Sequence, residues 1–76
     1  MSQPFMSQPF APGDRIRLIA LPSYLKTADS MPTLRSPDLL RIGDEGIILG
    51  RKPGGYWSIR FSAGAFLLES QYVELI

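Results

Sequence analysis

Seventy-six residues allow one domain with a thin core, because a chain this short buries only about 60% of the surface its unfolded form exposes. It has neither cysteine nor histidine, which removes disulfides, thiol nucleophiles, the commonest general base and the commonest transition-metal ligand. Eight basic residues against seven acidic leave a net charge of +1, too little for a phosphate-tracking nucleic-acid binder or a polybasic membrane anchor.

The chain opens on a tandem repeat, MSQPF followed by MSQPF. Polar residues, two prolines and no apolar periodicity predict a disordered tail over residues 1–11, with the folded domain in residues 12–76. The repeat reads either as a sticky motif built on Phe5 and Phe10 or, more simply, as an upstream start or a fused repeat ahead of an older start at Met6. It lacks the charged and apolar regions of a secretory signal, and no apolar run approaches the roughly 20 residues that cross a bilayer. The expectation is a cytoplasmic protein.

Order is predicted to begin at Pro12-Gly13-Asp14. From Arg15 to Ala20 charged and apolar residues alternate, as in a strand with one solvated face, placing Ile16 and Leu18 inward and Arg15 and Arg17 outward. Leu21 to Ile42 is too rich in proline for one helix and too apolar for disorder. It is expected to be a long ordered loop folded back on the domain, with a helical turn at Ser36 to Leu40. Gly43-Asp44-Glu45-Gly46 turns into a second strand, Ile47 to Arg51, and Lys52-Pro53-Gly54-Gly55 makes a hairpin connection. The third strand, Tyr56 to Phe61, sends Trp57, Ile59 and Phe61 to one face and Tyr56, Ser58 and Arg60 to the other. A fourth strand, Ala65 to Glu69, a tight corner at Ser70-Gln71-Tyr72 and a last strand, Val73 to Ile76, complete an all-β, five-stranded closed barrel.

Four segments resemble the SH3 domain in the right order. Ala20-Leu21-Pro22-Ser23-Tyr24 looks like the segment opening the long RT loop, and Gly43 to Leu49 like the turn and strand after it. Tyr56-Trp57-Ser58-Ile59-Arg60 looks like the paired-aromatic strand, and Ser70 to Ile76 like the final corner and strand. The resemblance implies that Tyr24, Tyr56 and Tyr72 are groove aromatics. Pro22 in place of a groove tyrosine, and Glu69 in place of the proline before the corner, argue against a short proline-rich peptide as ligand.

Across residues 12–76, the segments GDRIRLIALPSYLKTADSMPTLR, IGDEGIILGRKPGGYWSIRF and GAFLLESQYVE resemble the SipA-type small regulatory proteins of cyanobacteria. That resemblance implies a non-enzymatic regulatory adaptor that binds the ATP-binding region of a sensor histidine kinase and modulates its autokinase activity. The expected partner-binding residues are Tyr24, Lys26, Arg51, Lys52, Tyr56, Arg60 and Tyr72, since tyrosine and arginine are enriched at interface centres. Catalytic residues, metal ligands and a cofactor are not expected, because no nucleophile and base can be assembled without His or Cys. A monomer is expected. The alternative is an accessory docking subunit for ferredoxin or a photosynthetic redox complex, with Arg15, Arg17, Arg51, Lys52 and Arg60 as its basic patch.

Overall fold

The computed structural model describes residues 9–76. Of the tail expected over residues 1–11, residues 1–8 lie outside the described residues. Seven strands follow in order: β1 (Arg15–Leu18), β2 (Leu25–Thr27), β3 (Leu34–Arg35), β4 (Glu45–Lys52), β5 (Tyr56–Phe61), β6 (Gly64–Glu69) and β7 (Val73–Leu75). Short 3-10 turns lie at Pro37–Leu39, Pro53–Gly55 and Ser70–Tyr72. The strands form one antiparallel sheet in the order β3-β2-β6-β5-β4-β1-β7.

The all-β class stands, and the closed five-stranded barrel is corrected. The sheet has seven strands, and no ladder joins its two edge strands, β3 and β7. Its two ends nevertheless share a core, because Leu25 of β2 and Val73 of β7 belong to one buried cluster with Ile16, Leu18, Ile48, Ile59 and Leu68. The additional strands lie in the long loop. Leu25 pairs with Arg35, and Lys26 pairs with both Leu34 and Leu67, so the excursion folds back as a small hairpin on β6.

Strand periodicity decides the two faces. In β1, Ile16 and Leu18 are fully buried and both arginines are exposed. Arg15 meets Glu45 at 2.7 Å and Arg17 meets Glu74 at 3.7 Å, both on the surface. In β5, Trp57, Ile59 and Phe61 are buried as the alternation requires, but Ser58 is buried too, between Gly50 and Leu67 across the ladders. Burial of this small hydroxyl on the outward face breaks the expected solvation of that side.

Two turns of the same build bracket the β1–β4 pair. In Ala11-Pro12-Gly13-Asp14 and Arg41-Ile42-Gly43-Asp44 the third residue is a glycine, at φ 92° and 99°, as a type II turn demands. In each, the aspartate amide donates to the carbonyl of the first residue, at 3.0 Å. Each aspartate carboxylate then accepts the first residue's own amide, at 2.9 Å. The turns also extend the ladder at opposite ends. Gly13 N–H donates to Ile48 and Ile48 donates to Asp14, while Gly43 donates to Leu18 and Leu18 to Asp44.

The folded region begins before Pro12. Phe10, expected in the tail, is 7% exposed and joins the core, its ring 5.4 Å from that of Trp57 and nearly perpendicular to it.

Candidate functional site

The register that builds the sheet also builds a groove. Lys26 pairs with Leu67, Leu67 with Ser58, and Tyr56 with Glu69, which sets Lys26, Leu67, Tyr56 and Glu69 on one face of β2, β6 and β5. Tyr24 stands just before β2, and Tyr72 ends the corner that leads into β7. The result is a cleft of about 310 Å³ lined by Tyr24, Tyr56 and Tyr72, with Pro22, Lys26 and Leu67 among the other walls. Tyr72 packs partly against the core, whereas Tyr24 is 65% exposed. The Lys26 Nζ lies 4.5 Å from the Tyr56 ring centroid, a cation–π distance that orients both side chains.

A second depression of about 430 Å³ adjoins the first, sharing Lys26, Tyr56 and Leu67 and adding Lys52, Pro53 and Asp29. Lys52 reaches it because it pairs with Tyr56 across the β4–β5 ladder. Five of the seven expected residues, Tyr24, Lys26, Lys52, Tyr56 and Tyr72, therefore lie on one continuous surface.

The other two lie elsewhere. Arg51 pairs with Trp57 and sits with its guanidinium carbon 6.0 Å from that ring's centroid, on the face occupied by Phe10. Arg60 is four residues along β5 from Tyr56, about 13 Å at strand rise, and lines a separate depression with Arg15, Glu45 and Ile47. The five cations expected to form a basic patch are likewise divided. Arg15 and Arg17 face carboxylates, Arg51 lies over Trp57, and Lys52 belongs to the tyrosine surface.

Sequence reasoning missed Leu67 and Glu69 as groove residues. Strand parity held the signal, since Phe66 and Leu68 alternate inward and leave 65, 67 and 69 facing out. Among the described residues, no three carboxylates gather where a metal ion could be held, and no helix is long and apolar enough to cross a membrane.

Comparison with known proteins corrects the identification. Residues 13–73 match the family model described as Protein CHLORORESPIRATORY REDUCTION 42-like. Protein CHLORORESPIRATORY REDUCTION 42, chloroplastic, of Arabidopsis thaliana is 40% identical over 65 residues, 84% of this chain and 54% of the relative. The chain thus spans about half the length of the curated relative it matches. No solved structure matches it. These findings overturn the SipA-type assignment, and with it the sensor histidine kinase partner and the two-component signalling role. They also overturn the cytoplasmic expectation, which rested on the absence of a signal peptide, because the relative is a chloroplastic protein. The family match runs from the first Gly-Asp turn into β7 and takes in every residue of the tyrosine groove, and the chain belongs to the CRR42-like family.

Proposed function

We propose that this chain is a non-enzymatic docking module, an accessory subunit that holds a folded protein of a photosynthetic redox complex against the Tyr24–Tyr56–Tyr72 surface. The observation that carries the reading is the convergence of three tyrosines and two lysines from four separate segments on one continuous surface of two adjoining depressions. The relative named for chlororespiratory reduction supplies the redox setting. Rings that are partly exposed and held by neighbours make interface anchors with little ordering cost. An SH3-like reading of the module is supported by the succession β7-β1-β4-β5-β6 and by the 3-10 corner before the last strand. A salt-steered basic face for ferredoxin has less support, because the cations it needs are divided among different surfaces.

The test is complementation. In photosynthetic cells lacking the chain, the wild-type protein restores chlororespiratory electron flow, while Tyr24→Ala/Tyr56→Ala folds and fails to restore it. Unimpaired flow without the chain, or full restoration by the double variant, overturns the proposal.

A further inference from the structure

The chain's only lysines are Lys26 and Lys52; its other cations are arginines. Both lysines stand beside one residue, Tyr56. Lys52 is its opposite neighbour across the β4–β5 ladder, and Lys26 holds its Nζ 4.5 Å from the ring centroid. Among the described residues, neither ammonium has a carboxylate oxygen within 4.0 Å. Both line the second depression, of about 430 Å³, where Asp29 is the one acidic residue and Pro32, Pro53 and Leu67 supply apolar wall. Two positive charges against one negative leave that depression electropositive. Lys26 is also placed before any partner arrives, because it is half-buried and its strand is laddered to β3 on one side and β6 on the other. A ring face takes one side of an ammonium and leaves N–H donors for an oxygen. The adjoining cleft differs in character, since Tyr24, Leu34 and Tyr72 line it with rings and hydrocarbon. Its one acid, Glu69, lies across the opposite ladder from Tyr56 and lines only that cleft.

We propose that this surface reads an acidic segment of its protein partner. An aspartate or glutamate carboxylate enters the second depression and takes both Lys26 and Lys52, while an apolar residue beside it fills the Tyr24–Tyr72 cleft. The inference rests on the docking reading above and adds the charge of what is docked. Lysine suits the task, since a compact ammonium on a flexible stem can converge with a second one on a single carboxylate. The same pair works against the wrong partner. A basic side chain entering the depression meets two like charges, so the surface selects by repulsion as well as by attraction.

The experiment uses the full chain in photosynthetic cells and a carbodiimide, which joins an ammonium to a carboxylate only where the two touch. Lys26 and Lys52 are the only side-chain amines it can couple. Mass spectrometry of the coupled product should find one of them bonded to an aspartate or glutamate that has an apolar neighbour in the partner. In cells lacking the chain, Lys26→Glu/Lys52→Glu should fail to restore electron flow, and a lysine at the coupled partner position should rescue it. Coupling at neither lysine, full restoration by the glutamate pair, or no rescue by the exchanged charge overturns the proposal. If the pair does not fold, Lys52→Glu, at an exposed position, decides. Its affinity for the coupled partner should fall at least about tenfold, and an unchanged affinity refutes the acidic segment. The two readings fail separately. Loss of function in Tyr24→Ala/Tyr56→Ala with full restoration by the glutamate pair keeps the docking surface and removes its acidic partner, whereas restoration by the tyrosine pair removes both.

Discussion

At the scale of single residues, the aspartates of the two Gly-Asp turns do work that neighbouring polar residues do not. Asp14 and Asp44 each return a carboxylate to an amide three residues back, closing turns whose glycines already hold positive φ. Asp14→Ala and Asp44→Ala should each cost about 1 kcal/mol, the value of one such hydrogen bond. The two losses should add, because the turns lie at opposite ends of β1; denaturant midpoints of the single and double variants check both points. Gly46 is constrained differently. A Cβ there would stand 2.8 Å from the Arg60 carbonyl oxygen and 2.9 Å from Ile59 Cγ2, so β4 and β5 approach too closely for any side chain. Gly46→Ala should cost about 1–3 kcal/mol or more through overpacking. Gly50→Ala, which would meet nothing within 4 Å, should be neutral or stabilising. Equal melting temperatures for the two alanine variants would contradict the close approach at Gly46.

At the scale of elements, β5 carries both the core and the groove. Its inward face holds Trp57, 4% exposed, so Trp57→Ala should remove about 3–5 kcal/mol. Its outward end holds Tyr56, whose loss should spare the fold and weaken docking by at least about 2 kcal/mol if it is an anchor. Calorimetric melting and titration with the partner separate the two effects. Arg60→Ala, on a different patch from the groove, should leave docking unchanged. Much of this was legible in the sequence. The inward sets of β1 and β5 and their outward sets apart from Ser58 followed from alternation, the 3-10 turn at Pro37–Leu39 from proline placement, and the corner at Ser70–Tyr72 from its likeness to the last SH3 corner. Strands β2 and β3 were not legible, because three- and two-residue strands flanked by Pro22 and Pro32 carry no period. The groove was half legible. Parity shows which way Tyr56 points, but it cannot show that a bulge near Leu49 carries Arg51 onto the Trp57 side. Nor could a polar, repetitive segment announce that its last ring is core, since that depends on Trp57 being short of cover.

At the scale of the molecule, a net charge of +1 and a groove walled by tyrosines predict docking that changes only a few-fold with ionic strength. A steep salt dependence of the measured affinity would move the interface to the face bearing Arg15, Arg17 and Arg60. The strand order has a consequence in time as well as in space. Strands β4, β5 and β6 follow one another through tight turns, so their ladders close small loops. By contrast β1 must find β7, pairing Leu18 with Val73 across most of the chain. Loop closure is met before such distant contacts repay it, which places folding in the millisecond-to-second range and makes the β4–β5–β6 meander the natural nucleus. Ile59→Val should therefore slow refolding, whereas Val73→Ala should chiefly speed unfolding, and the two arms of a stopped-flow chevron distinguish these cases. The strand that completes the sheet last is then the one reached through Tyr72, so one wall of the groove is assembled only as the molecule commits to its native state.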